Sequence, residues 1–123
     1  MKEREELRDA PLCECEETHM SIVNAVMKAI PDDAEIYNLS DLFKVFGDPT
    51  RLNILLALEK HPMCGCDLAE ILGISKAAVS YQLKALRQAN LVRFTKHGKN
   101  TVYELSDRHV EGIIDCALEH IRE

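Results

Sequence analysis

Apolar side chains recur at helical spacing through most of the 123-residue chain and alternate in one short region near its end. The helical spacing predicts a first helix over residues 21–30, where Pro31 ends it. It predicts a second short helix over residues 38–47, which ends at Gly47. The folded part of the chain is therefore expected to begin with two helices.

A third helix is predicted to begin directly after Asp48. Aspartate is a favourable N-cap, and Pro49 fits the first helical position because its missing backbone N–H would have no partner there. The segment PTRLNILLALEK then carries a leucine-rich face. We expect this helix to bury Leu52, Leu55, Leu56 and Leu58.

Two more helices separated by a short turn follow. CDLAEILG forms the first, Gly73 supplies the turn, and Ser75 caps the second, KAAVSYQLKALRQAN. This order predicts a helix-turn-helix. In the second helix Val79, Leu83 and Leu86 share an apolar face. The opposite face carries small and hydrogen-bonding side chains suited to a major groove: Ala77, Ser80, Tyr81, Lys84 and Gln88.

The alternating region LVRFTKHGKNTVYEL predicts a β-hairpin with strands at 91–96 and 101–105 around Gly98. Lys96, His97 and Lys99 lie at its tip, where they suit contacts with phosphate groups. A helix-turn-helix followed by a basic hairpin is typical of a winged helix-turn-helix. We therefore predict a mainly α fold with a β-hairpin wing.

The last helix, SDRHVEGIIDCALEHIRE, has an apolar stripe too extensive for a terminal helix with nothing covering it. The stripe consists of Val110, Ile113, Ile114, Ala117, Leu118 and Ile121. Pairing with the same helix of a second copy would bury it, so we predict a homodimer.

The distribution of charged residues along the chain indicates a binding partner. The chain has a net charge of −6, yet residues 71–103 hold six basic and no acidic side chains. A segment cleared of acids in an acidic protein indicates contact with a polyanion. We predict that double-stranded operator DNA is bound by Ser75, Lys76, Ala77, Ser80, Tyr81, Gln82, Lys84, Arg87, Lys96, His97 and Lys99.

The N-terminal residues are predicted to lie outside the folded domain. Residues 1–20 are acidic and polar, and we interpret them as a flexible arm that precedes a DNA-binding and dimerisation domain at 21–123. The arm does not resemble a secretory signal, and no apolar run approaches the ~20 residues that span a membrane. We therefore expect a cytoplasmic protein without a membrane partner. Five cysteines, an odd number, also argue against a disulfide scaffold.

The last helix also carries candidate metal ligands at both ends. His109 and His120 are eleven residues apart, about 1100° of helical turn, so they share a face but lie about 16 Å apart. One chain cannot bring both to one ion. If two copies run antiparallel, Asp107 and His109 of one meet His120 and Glu123 of the other, and two zinc-type sites result. The alternative is a set of ordinary interface hydrogen bonds.

Two Cys-x-Cys pairs suggest a second site. Cys64 and Cys66 precede a helix, while Cys13 and Cys15 lie in the arm with His19 nearby. Four thiolates would favour a soft ion such as Zn²⁺, Cd²⁺ or Pb²⁺. Two alternatives stay open: buried or exposed thiols without a ligand, and a redox switch based on low-pKa cysteines.

Several of these segments resemble the ArsR/SmtB family of metal-sensing repressors, and most closely its CadC-type cadmium, lead and zinc sensors. They are LFKVFGDPTRLNILLAL, CGCDLAEILGISKAAVSYQLKALRQANLV and GKNTVYELSD, and the resemblance covers residues 37–123. It implies that Cys64 and Cys66 supply two thiolates and that Cys13 and Cys15 of the other subunit supply the rest. It also assigns the family's interfacial zinc site to Asp107, His109, His120 and Glu123.

The chain departs from the CadC-type pattern in the close spacing of its arm cysteines, which leaves His19 as a substitute ligand. Cys116 has no role that the family pattern transfers. The resemblance implies a repressor that binds its operator in the metal-free state. Metal binding would release the operator and so allow transcription of genes for metal efflux or resistance. We predict no small-molecule substrate and no enzymatic activity, because glycine-rich phosphate loops and nucleophile elbows are missing from the sequence. A thiol-based redox or persulfide sensor on the same fold is the alternative.

Overall fold

The computed structural model describes residues 10–123. Residues 1–9, the first part of the predicted arm, lie outside the described residues. The chain divides into two units, the first ending at Glu35 and the second beginning at Ile36. In the first unit residues 10–19 are exposed, and helix α1 (Met20–Ala29) has no buried side chain. The predicted helix at 21–30 is thus present and begins one residue earlier.

Helix α2 (Asp33–Phe46) begins five residues before the predicted start. The cause is local: the Asp32 carboxylate accepts a hydrogen bond from the backbone N–H of Glu35 at 2.9 Å, which is the bond of an N-cap. The sequence prediction of 38–47 relied on the apolar spacing and overlooked this aspartate. The helix ends at Phe46, directly before Gly47 as expected.

Helix α3 (Pro49–Lys60) begins where the sequence predicted. Asp48 accepts a hydrogen bond from the backbone N–H of Arg51 at 3.0 Å, which caps the helix. The predicted set of buried leucines is only partly right. The core takes Leu55 and Leu58 together with Ile54, which the prediction omitted, whereas Leu52 and Leu56 are only half-buried on another face.

Helices α4 (Gly65–Leu72) and α5 (Lys76–Gln88) form the predicted helix-turn-helix. Gly73 ends α4 with a φ of 68°, in the left-handed region where glycine is favoured. Helix α5 buries Val79, Leu83 and Leu86, as its apolar pattern predicted. It ends two residues earlier than expected.

In the described part of the chain the sheet has three antiparallel strands, where two were expected. Strands β2 (Val92–His97) and β3 (Asn100–Leu105) form the hairpin around Gly98. The first strand is displaced by one residue from its predicted bounds, and the second begins one residue early and ends as predicted. A two-residue strand, β1 (Met63–Cys64), pairs with the other edge of β3, so the strand order is β1-β3-β2. A strand this short has no alternation to detect, which is why the sequence did not predict it.

Helix α6 (Arg108–Ile121) closes the fold and packs Val110 and Ile114 into the core. That core is continuous across α2 to α6 and the base of the hairpin. The structure thus confirms a mainly helical winged helix-turn-helix with a β-hairpin wing.

Within residues 10–123 no helix combines the length and the apolar character that crossing a membrane requires.

Candidate nucleic-acid interface and metal-binding residues

The residues predicted to contact DNA lie on the N-terminal cap and exposed face of α5 and on the wing, which we define as β2, β3 and their connecting turn. Ten of the eleven are exposed, and Gln82 is half-buried. Ser75 also has a structural role, since its hydroxyl oxygen accepts a hydrogen bond from the backbone N–H of Ala78 at 3.0 Å. Its hydroxyl group can still donate its own proton. Tyr81, 72% exposed, projects from the middle of the helix.

Arg87 joins α5 to the wing. Its guanidinium carbon lies 4.4 Å from the centre of the Phe94 ring on β2, a cation–π contact. Phe94 in turn packs against Tyr103 on β3, with ring centres 5.7 Å apart. Arg87 therefore helps to fix the wing beside α5, a role that the sequence did not reveal because its partner belongs to another element.

Arg93 contributes less free charge than the sequence suggested. It was one of the six bases in the acid-free segment, but it forms an ion pair with Glu104 at 2.8 Å. The two residues are direct partners in the β2–β3 register. The basic side chains of the wing that form no ion pair with any of residues 10–123 are Lys96 and Lys99, at its tip.

Cys64 and Cys66 lie at the junction of the sheet and α4. Cys64 is the last residue of β1, paired with Val102 of the wing, and it is also the residue that precedes α4. Its thiol donates a hydrogen bond to the Asp67 carboxylate at 3.3 Å. Cys66, in the first turn of α4, is exposed. Two thiol-bearing residues and one carboxylate thus lie at the start of this helix, residue types that suit soft and borderline divalent ions, although their donor atoms are not all within 4.8 Å of one another.

This junction opens onto a cleft between α5 and the wing. The cleft has a volume of about 220 Å³ and is lined by both thiol-bearing residues and by Lys76, Ser80 and Lys99. The last three were predicted from sequence to contact DNA. The two cysteines and three side chains that were predicted to contact DNA therefore line one surface depression, a proximity that spacing along the chain did not show.

The arm thiols form a pair of their own. The sulfurs of Cys13 and Cys15 are 2.8 Å apart, and both residues are exposed. The hydrogen bond from Cys15 lowers the pKa of the Cys13 thiol, and the same interaction raises the pKa of Cys15. His19 lines an open depression next to this pair, together with Thr18.

The candidate ligands of α6 pair at each end of the helix. Asp107 is the N-cap and accepts a hydrogen bond from the backbone N–H of His109 at 2.9 Å, while its carboxylate lies 3.4 Å from His109 Nδ1. At the other end His120 Nδ1 lies 3.7 Å from a Glu123 carboxylate oxygen. Each end thus presents one imidazole and one exposed carboxylate. Cys116, between them, is exposed as well.

One further acidic group was not predicted. Among residues 10–123, a single set of three potential metal-ligating side chains has its donor atoms within 4.8 Å of one another, namely Glu59, Glu111 and Asp115. Burial, the hydrogen bond with Asp115 and the charges of both neighbours raise the pKa of Glu59. One carboxylate oxygen of Glu59 is buried and has no hydrogen-bond partner among the residues that the structure describes. The set is therefore a cluster of mutually repelling carboxylates.

An apolar groove lies between α2, α3 and α6. Its volume is about 210 Å³, and its lining includes Phe43, Leu52, Leu56, Leu118 and Ile121. Ile121 is 76% exposed. The apolar stripe predicted on the last helix therefore divides: Val110 and Ile114 enter the core, and the remainder faces this groove.

Residues 48–93 match the model of the bacterial regulatory protein, arsR family. The chain is 32% identical to a transcriptional repressor SmtB homolog from Synechocystis over 94% of its own length and 87% of that protein. This chain belongs to the ArsR/SmtB family of metal-sensing transcriptional repressors.

Two other comparisons concern the family and the fold, respectively. The chain is 32% identical to a cadmium resistance transcriptional regulatory protein CadC homolog from Staphylococcus aureus, over 91% of this chain and 93% of that one. The solution structure of the homodimeric winged helix-turn-helix domain Mb0332 from Mycobacterium bovis superposes with a TM-score of 0.69 at 21% identity, over 76% of this chain and 90% of that one. The protein is a transcriptional regulator, and not an enzyme.

Proposed function

We propose that this protein is a cytoplasmic homodimer that represses transcription in its metal-free state and releases operator DNA on binding Cd²⁺, Pb²⁺ or Zn²⁺. The controlled genes would serve metal efflux or resistance. Support comes from the family and from the similarity to a cadmium-resistance regulator. Control of this kind is reciprocal: bound DNA must weaken metal binding by the same factor as metal weakens DNA binding.

One observation carries the proposal: Cys64 and Cys66 line the same cleft as Lys76 and Lys99. The two cysteines would hold the ion as thiolates and release their protons, with Cys13 and Cys15 of the other subunit completing the set. His19 is the substitute ligand if one arm thiol is not used. A change at the thiols would therefore act directly on side chains that face DNA, without a long path through the core.

On the DNA side, α5 would enter the major groove with Ser80, Tyr81 and Lys84 on its exposed face. The wing tip would contact flanking phosphates through Lys96, His97 and Lys99, which give affinity and not sequence choice. Because a symmetric dimer presents two such helices, the operator would be palindromic with half-sites in successive major grooves.

The apolar groove supports the dimer. An exposed apolar surface of this kind is costly for a single chain, and a two-fold axis would cover it with the same surface of a second copy. Such an arrangement would also bring the Asp107–His109 end of one α6 to the His120–Glu123 end of the other. Those four side chains would then hold zinc at the interface.

The test is the replacement of Cys64 or Cys66 by serine, with Cys116→Ser as the matched control. Both test variants are expected to bind the operator as the wild type does. The cadmium concentration at which half of the DNA is released should rise more than about 100-fold. Loss of an outer-shell partner of a metal ligand lowers metal affinity by roughly 10- to 100-fold, and loss of a direct ligand should lower it further. Cys116→Ser should respond as the wild type does.

Two outcomes would contradict the proposal. If the serine variants still release DNA with cadmium, the thiols are not the sensor. If the wild type ignores cadmium under reducing conditions but releases DNA reversibly with a thiol oxidant, the protein is a redox sensor on the same fold.

A further inference from the structure

Arg51, in the first turn of α3, connects three helices through one side chain. Its Nε donates a hydrogen bond to the Val45 carbonyl oxygen at 2.8 Å, and one Nη donates to the Lys44 carbonyl oxygen at 3.3 Å. The other Nη donates to Oε1 of Gln82 on α5 at 3.4 Å. The planar guanidinium group presents its donors in a fixed fork, so these three contacts constrain one another.

The contacts with α2 anchor the fork. Lys44 and Val45 lie in the last turn of that helix, where a positive charge is favourable. The Lys44 carbonyl oxygen also accepts a hydrogen bond from the backbone N–H of Gly47 at 3.2 Å. The backbone N–H of Arg51 is held as well, by the Asp48 carboxylate at 3.0 Å. With its backbone and two of its side-chain nitrogens fixed, Arg51 has little freedom in where it directs the third nitrogen.

That third nitrogen determines how Gln82 can be used. Gln82 is half-buried. It lies on α5 between the exposed face, which carries Tyr81 and Lys84, and the face that packs on the core. A free glutamine amide can both accept and donate, and can pair with adenine through both groups. With its oxygen engaged by Arg51, the amide would offer its N–H donors to phosphate oxygens, guanine N7 or O6, or thymine O4.

We propose that Arg51 is a positioning residue for operator recognition, which orients Gln82 as a hydrogen-bond donor toward DNA and ties α5 to the end of α2. The inference rests on the proposed DNA-facing role of α5. It adds a residue outside the helix-turn-helix that affects sequence choice without touching DNA.

The experiment is a double-mutant cycle measured with DNA. The probes are a duplex of about 30 base pairs, selected from a random pool by the wild-type protein, and a shuffled duplex of equal length. Fluorescence anisotropy gives the Kd of each duplex for the wild type, Arg51→Met, Gln82→Met and the double variant. Gln82→Met leaves both carbonyl contacts of Arg51 in place, and Arg51→Lys keeps the inference testable if Arg51→Met folds poorly.

We expect each single variant to weaken binding of the selected duplex about tenfold, and the shuffled duplex by less than about twofold. The double variant should be no weaker than either single one, because both remove the same interaction. Arg51→Lys should preserve thermal stability, since it keeps a cation at the end of α2, and still lose sequence discrimination, since lysine lacks the fork.

Additive losses in the double variant, or equal losses on both duplexes, would overturn the inference and leave Arg51 a purely structural residue. Lys84→Met separates this failure from failure of the proposed DNA surface. If Lys84→Met weakens both duplexes while the cycle shows no coupling, the Arg51 inference alone is wrong. If Lys84→Met changes neither duplex, α5 does not face DNA and both proposals fail.

Discussion

Glu59 shows how a single residue can carry an unfavourable charge in an otherwise well-packed helix. It belongs to α3, and its carboxylate faces Asp115 and Glu111 of α6, with Lys60 beside it. Burial and the two neighbouring carboxylates raise its pKa, whereas Lys60 opposes that shift. A group with a raised pKa in the folded state favours folding while it is protonated, and that contribution is lost as the pH rises through the folded-state pKa.

Replacing Glu59 by glutamine should therefore raise thermal stability at about pH 7 by a few degrees, because glutamine keeps the shape and removes the charge. Near pH 4, where the wild-type carboxyl is protonated, the two proteins should unfold at nearly the same temperature. Thermal denaturation followed by circular dichroism at both pH values measures this. Asp41→Asn is a control, since Asp41 is exposed and 3.9 Å from the Lys44 ammonium. An equal shift at both pH values would show that charge is not the cause.

For single residues, the sequence indicated which side chains are candidates for metal or DNA binding, but not which residues contact one another. The thiols, the imidazoles and the basic side chains stand out by residue type and spacing, so Cys64, His109 and Lys84 could be named from the sequence. Arg51 and Glu59 could not, because their roles depend on Gln82 and Asp115, which lie 31 and 56 residues further along the chain. Such partners meet only once the helices have packed.

Helix boundaries follow local hydrogen bonds, and the sequence predicted them where the capping residues were recognised. Asp48 and Ser75 begin α3 and α5 as expected, whereas Asp32 was overlooked and α2 begins earlier. Strand β1 has only two residues and is held by the wing, so it depends on long-range pairing. Local signals thus predict helices well and edge strands poorly in this fold.

Gly73 provides a test of the turn between α4 and α5. At φ 68° an L-residue is strained, although no neighbouring atom of residues 10–123 lies within 4 Å of the position that a Cβ would take. Gly73→Ala should therefore destabilise the fold by about 1 kcal/mol through backbone strain alone. Gly73→Asn should cost less, because asparagine tolerates the left-handed conformation. Urea denaturation measures both, and an alanine variant as stable as the wild type would refute the strain argument.

At the scale of the whole molecule, the candidate zinc site would be complete only in a dimer. The sequence predicted the pairing of Asp107 and His109 with His120 and Glu123 from helical phase alone. The structure places an imidazole and a carboxylate at each end of α6. Neither half has four ligands, so the proposed site depends on the dimer, whose geometry is not encoded in any local pattern.

Mixing two variants, each without one of the predicted zinc-binding histidines, tests this arrangement. His109→Ala and His120→Ala homodimers should each lose tight zinc binding. In a heterodimer of the two, one site would combine His109 from one subunit with His120 from the other and remain intact, while the second site would lack both. We expect one tightly bound zinc per heterodimer by mass spectrometry under native conditions. No recovery on mixing would show that the sites do not span two subunits.

The central claim is that metal binding at Cys64 and Cys66 releases DNA. The most direct measurement is a cadmium titration of the protein bound to its fluorescent operator under reducing conditions. Thiolate-to-metal charge-transfer absorbance and DNA anisotropy are followed in the same sample. We predict that the absorbance rises and the anisotropy falls together, with a common end point of one cadmium per thiolate site. Absorbance that saturates while the DNA stays bound would contradict the claim.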